Sequence, residues 1–111
     1  MNMKISIHEP FKALGEPGRL RVVVLLLKGE LCVCDLTAAL ELPQPTISRY
    51  MATLKAAGLV TDRREGRWIH YRLTDTEPLT CLRDYLQSLA EQAPFAEDRL
   101  RLTMNRKSTA C

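Results

Sequence analysis

At 111 residues, 46% hydrophobic and 26% charged, the chain has the make-up of one globular domain. A net charge of +3 and a pI near 8.8 allow a nucleic-acid partner without requiring one. The longest apolar run, Val22 to Leu27, is too short to span a bilayer and residues 1–9 carry no signal core, so a cytoplasmic protein with no membrane partner is expected; its cysteines (Cys32, Cys34, Cys81, Cys111) then read as thiols rather than a disulfide framework.

A first short helix is expected over 6–14, with Phe11 and Leu14 three residues apart. Pro17 suits a first helical turn, and Leu20, Val23, Val24 and Leu27 recur at i, i+3, i+4, i+7 before a capping Gly29. A buried strand over 22–27 competes, because β-branched runs favour strands, but the helical period is preferred. Asp35 to Leu40 reads as a short helix capped by Asp35, Glu41-Leu42-Pro43 as a turn, and Pro45 to Ala57 as a longer helix stopped by Gly58. That is a helix-turn-helix pattern. Two extended runs, Leu59–Arg64 and Arg67–Leu73, flank Glu65-Gly66 as a hairpin, or wing. A helix opening at Asp75 or Thr76 carries Leu79, Leu82, Leu86, Leu89 and Ala93 at steps of three and four, until Pro94 breaks it. A further amphipathic segment runs to about Met104. The expected fold is mainly α with a β-hairpin wing: a winged helix-turn-helix domain over 1–104 and a flexible tail over 105–111.

On the 45–57 helix, Ile47, Tyr50, Met51, Leu54 and Ala57 share one arc, while Pro45, Ser48, Arg49, Ala52, Thr53 and Ala56 face away with Thr46 at the margin. The outer arc is small and polar, where an ordinary solvent face would carry more Lys and Glu. Small residues let the backbone approach a major groove, hydroxyls can bond phosphates or base edges, and Arg49 can address guanine bidentately. Gln44, Thr46, Ser48, Arg49 and Thr53 are therefore candidate DNA contacts. Arg63, Arg64 and Arg67 crowd the hairpin tip, with Arg72 on the returning strand, and suit phosphates or a minor groove. Asp62 and Glu65 offset part of that charge, so a solvated, balanced tip is the alternative. Trp68, Ile69 and Tyr71 read as packing residues.

Cys32-Val33-Cys34 stands just ahead of the helix-turn-helix, and thiolates select soft, thiophilic ions. Two other readings stay open: small buried hydrophobes, and a redox-sensing pair made reactive by a helix N-terminus. A structural zinc site wants four ligands, and the only histidines, His8 and His70, are not spaced for one. Cys81 is assigned to packing and Cys111 is incidental. No Cys-x-x-Cys, phosphate loop or triad spacing points to an enzyme. A winged helix that binds protein instead of DNA is the contrasting class.

Four runs in unbroken order carry a family resemblance: Glu30-Leu31-Cys32-Val33-Cys34-Asp35-Leu36, Gln44-Pro45-Thr46-Ile47-Ser48, Leu54-Lys55-Ala56-Ala57-Gly58-Leu59-Val60, and Arg64-Glu65-Gly66-Arg67-Trp68-Ile69-His70-Tyr71-Arg72-Leu73. From about Phe11 to Leu89 the chain resembles the ArsR/SmtB repressors, above all their arsenic-resistance members. The resemblance implies a homodimer through the first and last helices, with Phe11, Leu79, Leu82, Leu86 and Leu89 as its dimerisation residues. It implies a double-stranded inverted-repeat operator, and release when trivalent arsenic or antimony binds Cys32 and Cys34. A redox signal or another thiophilic metal ion is the alternative trigger. The pattern departs from the family at Thr37, where a third cysteine often stands, at Tyr50, often histidine, and at Pro43, often serine. Two sulfurs then serve where three would be natural, leaving solvent, a small thiol, Cys81 or Cys111 to complete the site.

Overall fold

The computed structural model describes residues 7–108, with side chains to residue 105. Six helices and three short strands follow in the order α1 (His8–Leu14), α2 (Pro17–Leu26), β1 (Leu31–Cys32), α3 (Val33–Leu40), α4 (Gln44–Ala56), β2 (Val60–Glu65), β3 (Trp68–Leu73), α5 (Glu77–Leu89) and α6 (Phe95–Ser108). Helix wins over strand for the valine run: α2 places Val22 through Leu26 at the centre of the core, where all five are buried. A helix buried nearly all round shows only a weak amphipathic signature, which is why its local sequence also suited a strand. The Glu16 side chain caps it by accepting from the Arg19 backbone N–H at 2.8 Å.

The helix-turn-helix is α3 and α4. Glu41 closes α3 in the left-handed region at φ 56°, a conformation that costs a non-glycine residue and makes the sharp exit possible. Gly58 ends α4 in a Schellman turn, donating to the Lys55 carbonyl while Leu59 donates to that of Leu54, and its φ of 80° suits glycine. The hairpin pairs Glu65 with Trp68, so its two-residue turn is Gly66-Arg67 and not Glu65-Gly66 as the sequence suggested. Only Gly66 takes positive φ there, the pattern of a type II′ turn.

Three further features depart from the sequence reading. The wing has a third, two-residue strand: β1 pairs antiparallel with β3, Leu31 opposite Tyr71 and Cys32 opposite His70, giving the strand order β1-β3-β2. Second, α3 begins at Val33, so Asp35 lies in its first turn and Cys32 takes the capping position. Third, α6 continues to Ser108, past the expected limit at Met104; the last three residues of the expected tail lie outside the described residues.

α6 packs along α3 and α2 and is held by one buried carboxylate. Asp98, 1% exposed, accepts from Arg21 Nε and Nη2 at 2.9 and 2.7 Å and from Arg101 Nη2 at 2.8 Å. The same two guanidiniums donate onward to the Leu40 and Ala39 carbonyls at 3.2 and 2.7 Å, satisfying the open C-terminal end of α3. Paired with Asp98, the Arg21 guanidinium is held even more firmly protonated than usual. Among the described residues no helix is long and apolar enough to cross a membrane. Asp98→Ala leaves two part-buried cations facing each other, and should lower unfolding stability by about 3 kcal/mol in urea titration. A loss within about 0.5 kcal/mol, the usual range for a surface change, would mean that α6 is not anchored there.

Candidate nucleic-acid interface and sensor site

The two arcs expected on α4 are the arcs the fold produces. Ile47, Met51, Leu54 and Ala57 are buried and Tyr50 is half-buried, whereas Gln44, Pro45, Ser48, Arg49, Ala52, Thr53 and Ala56 are exposed. Thr46 sits at the margin, where Arg49 Nη2 donates to its hydroxyl at 3.3 Å. Tyr50 seats the helix: the hydroxyl end of its ring lies so close to Gly18 of α2 that a Cβ there would clash with it. Its hydroxyl reaches Glu16 at 3.4 Å.

The three wing arginines have different fates. In an antiparallel ladder, directly opposed residues share a face and neighbours along a strand alternate. Arg64, opposite Ile69, shares its face with Asp62, which Lys55 of α4 bonds at 3.1 Å, so Arg64 stands on the side of the recognition helix. Arg67 occupies the turn, its guanidinium 5.7 Å from the centroid of the Trp68 ring. Arg63 points to the other face, where it is bound by Glu30 and by Glu65. The sequence reading grouped all three as DNA contacts; the register separates Arg63 from the other two.

Cys32 ends β1 and caps α3. Its sulfur accepts from the Asp35 backbone N–H, while the Asp35 carboxylate accepts from the Cys32 N–H at 3.1 Å, a capping box with a thiol in place of a hydroxyl. Cys32 is buried, and burial pushes its thiol pKa above the ordinary value, outweighing the Asp35 N–H that favours the thiolate. Cys34, half-buried in the first turn of α3, is disulfide-bonded in this structure, contrary to the thiol expected of it. The hydroxyl of Thr37, which stands in place of a third cysteine, donates back to the Cys34 carbonyl at 2.9 Å. Among the described residues no three His, Cys, Asp or Glu side chains are grouped to hold a metal ion. Cys81 is exposed on α5, contrary to the packing role expected of it; Cys111 lies outside the described residues.

The sequence pattern described as "Bacterial regulatory protein, arsR family" matches residues 16–62, which hold α2, β1, α3 and α4. A solved homodimeric winged helix-turn-helix domain from Mycobacterium bovis, a possible ArsR-family transcriptional regulator, is 33% identical, with a TM-score of 0.65 over 77% of this chain and 78% of its own. The chain belongs to the arsR family of bacterial regulatory proteins. It is 52% identical over 61% of its length both to the arsenic resistance transcriptional regulator ArsR1 of Pseudomonas putida and to the arsenical resistance operon repressor of Escherichia coli. The matched stretch spans 54% and 59% of those two proteins.

The family fold places the expected subunit-contact residues unequally. Phe11 is 53% exposed on α1, but Leu79 and Leu86 are buried in the subunit's own core, with Leu82 and Leu89 half-buried beside them. A helix face that steps by three and four fills its own core first. The outer face of α5 instead presents Tyr85, 64% exposed, which periodicity did not single out. Gly18→Ala should displace the Tyr50 ring and destabilise the protein by about 1–3 kcal/mol in chemical denaturation. Unaltered stability would show that α4 does not depend on that contact.

Proposed function

We propose that the protein is a cytoplasmic transcriptional repressor that binds an inverted-repeat operator as a homodimer and leaves it when trivalent arsenic or antimony binds Cys32 and Cys34. The observation that carries the reading is the position of Cys32, at once the last residue of β1 and the cap of the helix preceding α4. The arsenical-resistance names of the 52%-identical relatives supply the ligand class, and the homodimeric M. bovis domain supplies the assembly. Phe11, Tyr85 and the half-buried Leu82 and Leu89 are the side chains we assign to the subunit contact.

In the dimer, two α4 helices enter successive major grooves about 34 Å apart. Gln44, Thr46, Ser48, Arg49 and Thr53 read base edges and phosphates, while Arg64 and Arg67 follow the backbone from the wing. Cys32 and Cys34 act as reduced thiols, with solvent or a small thiol completing the coordination. A sulfur that ligates the metalloid is a poorer acceptor for the Asp35 N–H, so ligation weakens the capping box and loosens the first turn of α3. Losing a cap costs about 1 kcal/mol, within the 1–3 kcal/mol typical of coupling between sites.

Two measurements test this. In reducing buffer, fluorescence anisotropy of labelled operator should fall on titration with arsenite or antimonite. Cys32→Ser/Cys34→Ser should remain bound; unchanged release by that variant would place the sensor elsewhere. Zinc, cadmium and peroxide arms identify another soft ion or thiol oxidation as the trigger. The second measurement is pH dependence. Arsenous acid exchanges hydroxyl for sulfur: each thiol gives its proton to a departing hydroxyl, which leaves as water. Because burial keeps Cys32 in its thiol form, arsenite affinity should stay flat across about pH 6 to 8. A bare divalent ion must expel both protons, and its affinity would climb up to about 100-fold per pH unit. That slope with arsenite would contradict a two-thiol exchange.

A further inference from the structure

On the face of the sheet turned away from α4's contact with Asp62, β1 and the wing are joined by more than the ladder. Cys32 and Arg63 are both register partners of His70, so the three residues form one row across β1, β3 and β2. Two residues before Cys32, Glu30 grips the Arg63 guanidinium in a fork: Nε lies 3.1 and 2.9 Å from its two oxygens, and Nη2 lies 2.7 Å from one of them. Arg63 Nη1 then reaches Glu65 at 3.2 Å, and Glu65 also meets His70 Nε2 at 3.5 Å. Glu65 is the register partner of Trp68 at the wing tip.

An exposed ion pair contributes little to stability, but a bidentate guanidinium–carboxylate fork is strict in geometry. A shift of residues 30–34 would then be passed across the fork and the two-residue strand to β2 and the turn. We propose that the Glu30–Arg63 fork couples the Cys32/Cys34 site to the wing, so that inducer binding displaces the wing directly and not only through α3 and α4. Arg63 is thus a positioning residue, and Arg64 and Arg67 are the wing's contacts with phosphate. The proposal rests on the two-thiol reading of the sensor and adds the route by which that sensor acts.

Trp68 is the only tryptophan in the chain and sits at the wing tip, so its emission reports the wing without any DNA present. The reduced, full-length, DNA-free protein is titrated with arsenite, and Trp68 emission is followed beside the near-ultraviolet sulfur–arsenic absorbance that counts binding. In the parent both signals should change together. Glu30→Gln should keep the absorbance change and lose most of the Trp68 response, and arsenite's effect on operator affinity should shrink by about fivefold or more, the lower end of ordinary coupling. The charge-swapped Glu30→Arg/Arg63→Glu pair should recover the Trp68 response.

A Trp68 response undiminished in Glu30→Gln, or arsenite binding to the parent without any response, overturns the coupling and leaves the two-thiol sensor standing. No absorbance change in the parent removes the sensor and the coupling with it.

Discussion

The reciprocal hydrogen bonds between Cys32 and Asp35 fix where β1 stops and α3 starts, and both halves of the molecule hang from that junction. On one side, the Cys32 backbone belongs to a strand laid against β3, so the base of the wing is set by the same residue. On the other, its sulfur closes the first turn of the helix that leads into the recognition helix. A capping hydroxyl would hold the same geometry. A capping thiol adds chemistry, because the atom that completes the helix is also a soft ligand.

α3 is constrained at its far end as well. Arg21 and Arg101, organised by the buried Asp98 carboxylate, donate to the last carbonyls of α3 and tie it to α2 and α6. A helix of eight residues fixed at both ends has little room to bend. Disturbance at its N-terminus must therefore break the cap, rotate the helix or move β1. The first two outcomes reposition α4 through the tight turn at Glu41, and the third moves the wing. In the proposed mechanism a small local event at one sulfur reaches both surfaces assigned to DNA.

Much of this was legible in the sequence, because it depends on local periodicity. The two arcs of α4 followed from residues three and four apart, and the turn at 41–43 and the stop at Gly58 followed from their own chemistry. What stayed hidden depends on partners distant in sequence. A two-residue strand has no period to detect, and β1 exists only because residues 70 and 71 lie beside it. For the same reason Asp35 read as a cap: without the strand, nothing placed the helix start two residues earlier. Arg63, Arg64 and Arg67 look equivalent in a list of basic residues, and only the register separates the one held by Glu30. Leu79 and Leu86 were expected at a subunit contact because the resemblance implies one there, and an apolar stripe does not say which surface it covers; α6 docks on α3 through an ion cluster spanning residues 21 to 101.

If one short segment answers to both a thiophilic ligand and DNA, thermodynamic linkage exposes it most directly. Arsenite affinity should be measured by calorimetry on the reduced protein, alone and saturated with operator duplex. Binding to the operator complex should be weaker by about 5- to 150-fold, matching the factor by which arsenite weakens operator binding. Equal arsenite affinity for the free and DNA-bound protein would contradict it.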